Sequence, residues 1–177
     1  MEAKLEELSS RLNLPVRKFL GIDVGIQCTA FVRKEGSKYP RYGKLEQTAK
    51  FKSMETLQDN LFNYLYSKEG TLLWEGVDVV GIEKHWGGVR PTRVSCTLTC
   101  LEFSLRAFFL FHGIEVHIIP AASYKRALKT CMGSHGANKK RAAEYALEKL
   151  DVKKKDGRIH DMGDAAMICD YLSEKGK

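Results

Sequence analysis

The sequence predicts an α/β fold built on a mixed five-stranded sheet, with three antiparallel strands followed by two parallel crossover strands, flanked by helices. Three observations carry this. An alternating apolar pattern opens the strand region at "KFLGIDVGIQCTAFVRKEG". Two short apolar runs, "GVDVVGIEKHW" and "IEVHIIP", follow later, each bounded by glycine or proline. Between and after them the apolar spacing changes to that of helices. The order is three strands, helix, strand, helix, strand and further helices, an antiparallel meander feeding crossover units.

Residues 1–14 predict a short amphipathic helix with Leu5, Leu8 and Leu12 on one face, ended by Pro15. They form an extension, 1–18, to a single domain spanning 1–177. In the first strand Leu20, Ile22, Val24 and Ile26 share one face, and Phe19 and Asp23 lie on the other. A turn near Gly36 leads on, with "RYGKLEQTAKF" as the third strand. Ser53 caps a helix over "METLQDNLFNYLYSK", whose Leu57, Leu61, Tyr64 and Leu65 make a stripe. "RPTRVSCTLTCLEFSLRAFFLFHG" predicts a long helix closed by Gly113. After "IEVHIIP" come helical segments at "AASYKRALKTC" and "NKKRAAEYALEKL", joined by the glycine-rich loop "MGSHGAN". A last helix covers "HDMGDAAMICDYL".

At 177 residues and 44% hydrophobic, the chain has apolar mass enough for one core. No apolar run has the length of a membrane span, and the charged N-terminus is unlike a signal peptide. The five cysteines are odd in number and scattered; Cys96 and Cys100 lie one helical turn apart without a second pair to complete a zinc site. They read as buried thiols of an intracellular, reducing compartment. The charge is strongly localised. Eleven of the 29 basic residues but four of the 22 acidic ones fall between Ser123 and Arg158, so the whole net charge of +7 resides there. Such a concentrated basic region is the footprint of a polyanion binder.

Four acids stand out against this background. Asp161 and Asp164 share a face of the last helix with Ala165, Ile168 and Leu172, a face suited to burial. Capping and the helix dipole would account for acids in a first turn on their own. Asp23, however, interrupts the most apolar strand of the first half, with Gly21 and Gly25 beside it on its own face. Glu83 ends the second buried strand. Adjacent strands bring these two together, and the last helix can pack its pair over them. Four such carboxylates repel unless divalent metal neutralises them, and hard oxygen ligands point to Mg²⁺ or Mn²⁺.

The order "GIDVG", "VGIEKHW" and "HDMGDAAMICDYL" resembles the RNase H-like nucleases. More narrowly, it is similar to the RuvC-type Holliday-junction resolvases, including those of poxviruses and other large DNA viruses. "GIEVHIIPAASYKRALKT" resembles that family's fifth strand, its proline and its Trp/Tyr-Lys segment, and "GSHGANKKRAAEYALEKL" its glycine-containing loop and lysine-bearing helix. The resemblance spans about residues 19–172. It implies that Asp23, Glu83, Asp161 and Asp164 are the catalytic residues and hold two Mg²⁺ ions, for which Mn²⁺ substitutes. It further implies a homodimer acting on four-way DNA in the cytoplasm or at a viral replication site, with no membrane partner, and symmetric nicks that leave 5′-phosphates.

Part of the apolar "LTCLEFSLRAFFLF" must cover the sheet; the rest suits either a two-fold interface or the core of a single chain. Lys139, Lys140 and Arg141, opening a helix after the glycine loop, are expected to contact phosphates, as are Lys125 and, next to Glu83, Arg90 and Arg93. Trp86 offers a stacking surface, and His85 and His160 each lie beside a proposed ligand, as proton carriers or as hydrogen-bonded neighbours. A nuclease acting on RNA or other structured nucleic acid fits the same residues. "GIDVG" also resembles the first phosphate loop of the actin, chaperone and sugar-kinase ATPases, but those need two domains and a Thr or Ser where Ile26 stands.

Overall fold

The computed structural model describes residues 16–47, 53–85, 92–130, 133–154 and 156–175. The N-terminal helix expected over 1–14 and residues Trp86, Arg90 and Cys131 lie outside them. Five strands form one sheet: β1 (Lys18–Asp23), β2 (Cys28–Glu35), β3 (Lys38–Glu46), β4 (Val79–Lys84) and β5 (Glu115–Pro120), in the order β3-β2-β1-β4-β5. β1 pairs antiparallel with β2 and parallel with β4, and β4 pairs parallel with β5. β2 and β3 form the hairpin, turning at Gly36, whose φ of 59° is the left-handed conformation glycine adopts freely. This is the mixed sheet that the apolar patterns predict.

Among the described residues, six helices cover the sheet: α1 (Met54–Leu65), α2 (Lys68–Trp74), α3 (Arg93–Phe111), α4 (Ala121–Ala127), α5 (His135–Lys149) and α6 (Ile159–Lys175). Ser53 caps α1 as its sequence suggests, accepting from the Thr56 N–H. The short α2 is not apparent in the sequence; Ser67 caps it through Gly70 N–H. A capping box of Thr92 and Ser95 begins α3, and Gly113, at φ 72°, follows its end. The glycine-rich loop before α5 is shorter than its composition implies, because the Ser134 side chain accepts from Ala137 N–H and starts the helix at His135. Lys139 and Lys140 therefore lie inside α5 and do not open it.

The alternation in β1 divides the core in two. Leu20, Ile22, Val80 and Ile82 face α1 and α3, meeting Leu61, Leu101, Leu105 and Phe109. Phe19 and Val79 face α5 and α6, meeting Ala142, Ala165, Ile168 and Cys169. By length and composition α3 could cross a membrane, yet it lays Leu101, Leu105 and Phe109 against the sheet. Its opposite side leaves Phe103 60% and Phe111 86% exposed. Cys96 and Cys100 are exposed on this helix, against the expectation of buried thiols; Cys28 and Cys169 are buried.

Two features bring α6 onto the sheet. Gly21 and Gly81 lie in register at the sheet's centre, and a Cβ on Gly21 would stand 2.0 Å from the Ala165 carbonyl oxygen. On the other flank of α6, a Cβ on Gly163 would meet the Ala142 carbonyl oxygen of α5 at 1.8 Å. Near the helix's C-terminal end, buried Asp170 accepts from Lys34 Nζ (2.5 Å), Tyr39 and Tyr145, tying β2, β3 and α5 to α6. A buried carboxylate needs such donors to offset its lost hydration.

Replacing Gly21 by Ala should therefore force α6 off the sheet. We expect a loss of about 3 kcal/mol, or roughly 6–12 °C in melting temperature. Gly136→Ala in α5, where a Cβ meets open space, should be neutral or slightly stabilising. Thermal denaturation of both variants checks this; equal melting temperatures would contradict the close-approach argument.

Candidate active site

The sheet register sets the first two acids side by side. Ile22 of β1 pairs with Ile82 of β4, so Asp23 and Glu83 each stand one residue further along parallel strands. The two carboxyl groups are close enough for Glu83 to raise Asp23 directly. The N-terminal end of α6, drawn onto the sheet through Gly21, brings Asp161 and Asp164 close enough for both to act on Asp23 electrostatically. All four acids singled out in the sequence thus meet at one end of the central strands.

The cluster is held by protons and cations. Burial raises Asp23 well above the usual carboxylate range, and Glu83, Asp164 and Asp161 raise it further. Burial likewise raises Asp164, although Lys125 and Tyr124 work against the shift. The Tyr124 hydroxyl lies 3.1 Å from Glu83 Oε2 and 3.2 Å from Asp164 Oδ1. Lys125 Nζ pairs with the same Asp164 oxygen at 2.9 Å. Burial disfavours the Lys125 charge, but Asp164, Glu83 and Asp23 outweigh it and raise its pKa.

His160 Nε2 is 3.0 Å from Asp161 Oδ1, while Asp161 Oδ2 is buried without a hydrogen-bond partner, its nearest cation being Arg158 at the ion-pair distance of 3.7 Å. The Cys28 thiol beside Asp161 is pushed up to about 12 by burial and by that carboxylate. Burial lowers His85, with Glu102 and the Val24 backbone acting against the shift, and its ring Nε2 is buried without a hydrogen-bond partner; its backbone N–H donates to Glu102 Oε2 at 3.0 Å.

Among the described residues, no three His, Cys, Asp or Glu groups stand ready-spaced as a metal shell. The donor set nevertheless fits a hard divalent cation in kind: carboxylate oxygens alone, crowded enough to raise Asp23 and Asp164, with one buried Asp161 oxygen lacking a donor. These four are the residues that would hold such ions.

The expected phosphate contacts separate into groups. Lys139 and Lys140 are exposed on α5, one turn or less before Ala142, which touches α6 at Gly163. Arg141 is engaged along its own helix by Glu148 (2.8 Å) and Glu144 (3.7 Å). Lys125 is placed within the acid cluster and not on an open surface. Arg93 is exposed at the start of α3. Three contributors lack an assignment from sequence alone: Tyr124, Cys28 and Glu102. The one visible signal was that Tyr124 directly precedes Lys125 just after β5.

No protein-family model and no curated protein sequence matches the chain. Solved structures do. The Thermus thermophilus RuvC structure is 13% identical, with a TM-score of 0.64 over 90% of this chain and 96% of that one. T. thermophilus RuvC in complex with Holliday junction substrate is 12% identical, at a TM-score of 0.62 and the same coverage. The Fowlpox virus resolvase, in complex with substrate Holliday junction DNA, is 15% identical with a TM-score of 0.54, over 89% and 99% of the two chains. The chain shares the fold of these RuvC and resolvase structures.

The raised carboxyls give a pH signature. Asp23 and Asp164 bind protons more tightly folded than unfolded, so their contribution to stability is full below the ordinary carboxyl range and is lost as pH rises through their raised folded values. With chelator present, Asp23→Asn should thus melt higher than the unaltered chain at about pH 8, and the difference should shrink toward pH 4. A lower melting temperature for the variant at pH 8 would contradict this electrostatic reading.

Proposed function

We propose that this chain is a structure-specific endonuclease that resolves four-way DNA junctions by metal-assisted phosphodiester hydrolysis. The convergence of Asp23, Glu83, Asp161 and Asp164 at the ends of β1, β4 and α6 carries the reading. It is supported by the fold, since the similar T. thermophilus and Fowlpox virus structures include Holliday-junction complexes. Two Mg²⁺ ions, or Mn²⁺ in their place, would supply an activated water and stabilise the departing oxygen.

The chain's own groups complete the site. The four acids would hold the ions, and Lys125 keeps a positive charge among them for an incoming phosphate. Lys139 and Lys140 provide phosphate contacts on the helix packed against α6, so duplex held there lies beside the acid-bearing helix. The exposed apolar side of α3, with Phe103, Leu110 and Phe111, supplies the two-fold interface of a homodimer. Two sites related in this way would cut opposite strands of one junction, leaving symmetric nicks with 5′-phosphates.

The test is incubation with Mg²⁺ and labelled four-way, Y-shaped and linear DNA, with structured RNA alongside. Four-way DNA should be cut preferentially; preferential cutting of RNA would redirect the reading to an RNase H-like nuclease of other substrate. Asp23→Asn, Glu83→Gln, Asp161→Asn and Asp164→Asn should each lower cleavage by about 100-fold or more while retaining junction binding. Ca²⁺ should support binding with poor cutting, because its longer and looser coordination disturbs the two-ion geometry. Near-normal cleavage by Asp23→Asn, or full activity in chelator, would overturn the assignment.

A further inference from the structure

We propose that Tyr124 is a positioning residue of the acid cluster, its hydroxyl fixing the spacing of Glu83 and Asp164 so that divalent metal meets a prearranged pair. The inference rests on the metal-site reading above and concerns a group that never becomes a ligand.

The placement of Tyr124 follows from the sheet. Glu83 of β4 lies in register with Ile119 of β5, and Lys84 with Pro120. The chain thus leaves β5 level with Glu83 and turns directly into α4 at Ala121. Less than one further turn brings the Tyr124 side chain back under the strand ends, where the residue is fully buried at 0% exposure. Its ring packs in the core shared with Ile119, Met167 and Ile168, so the hydroxyl's location is set by packing and not by a flexible stem.

From that position one hydroxyl reaches acids on two different elements, Glu83 Oε2 on β4 at 3.1 Å and Asp164 Oδ1 on α6 at 3.2 Å. A phenol has one proton, so these near-equal distances describe a donor shared between two acceptors. Lys125 cannot replace it. Its Nζ sits on the same Asp164 oxygen at 2.9 Å and brings charge, whereas Tyr124 joins two carboxylates without adding any. Both donors fall on Oδ1 of Asp164, leaving Oδ2 to other partners. Without the shared donor, the repulsion between the two carboxylates would be relieved by their moving apart, and metal binding would have to reverse that movement.

Tyr124→Phe keeps the ring and removes the hydroxyl alone. Mn²⁺ binding to the full chain, followed by calorimetry, should weaken by about 5- to 30-fold. The Mg²⁺ concentration giving half-maximal junction cleavage should rise by the same factor, and saturating Mg²⁺ should restore most of the rate. Tyr145→Phe is the comparison: it removes another buried hydroxyl from a carboxylate, that of Asp170, and should lower the melting temperature without changing Mn²⁺ affinity. In the unaltered chain, the Tyr124 hydroxyl proton should shift in NMR spectra on Mg²⁺ addition, a measurement that does not depend on the variant folding. Unchanged or tighter Mn²⁺ affinity in Tyr124→Phe would overturn the inference while leaving the metal site standing, as would a hydroxyl proton indifferent to Mg²⁺. If the unaltered chain bound no Mn²⁺, the metal-site reading would fall and this inference with it.

Discussion

The close approach of α6 to the centre of the sheet is the constraint on which the rest depends. Gly21 and Gly81, paired in register, leave a trough in which the Ala165 carbonyl and the Ile168 side chain lie against bare backbone. Any side chain at Gly21 would lift the helix, and with it Asp161 and Asp164. Gly163 performs the same service for α5, which brings Lys139 and Lys140 alongside. The glycines, the acids and the basic helix are therefore one arrangement: small residues set a distance, and that distance decides which charges meet.

Bringing those charges together works against folding. Asp23 is raised by burial and by three neighbouring carboxylates, while the nearby donors are few: Tyr124, Lys125, His160 and, at longer range, Arg158. The Asp170 cluster at the other end of α6 shows the contrast. There a single carboxylate receives Lys34, Tyr39 and Tyr145 and is satisfied. The same helix thus carries a neutralised buried acid at one end and an under-neutralised group at the other. A fold retaining the second arrangement tolerates a local loss of stability that a bound cation would offset.

Much of this was legible in the sequence because it depends on periodicity and local chemistry. The two faces of β1, the caps at Ser53 and Gly113 and the buried face of α6 follow from spacing and residue type. The four acids were visible because each sits where an apolar residue would be cheaper. What was not legible depends on register or on very short elements. Seven residues from Lys68 to Trp74 are too few for a helical period, and only the Ser67 cap marks them. The "GSHGAN" glycines suggest a loop, yet Ser134 caps a helix that runs through Gly136, leaving only Gly133 before it. Cys96 and Cys100 look like core residues but lie on the outer side of α3. The link from Tyr124 to Glu83 and Asp164 depends on where β5 ends relative to β4, which no local pattern states.

The central claim is that the acid cluster is a divalent-metal centre assembled by the packing of α6 on the sheet. Anomalous diffraction from crystals of the chain grown with Mn²⁺ tests it most directly. The account predicts anomalous peaks bounded by the carboxylates of Asp23, Glu83, Asp161 and Asp164. Absence of such peaks at saturating Mn²⁺, or peaks held by residues away from these four, would contradict it.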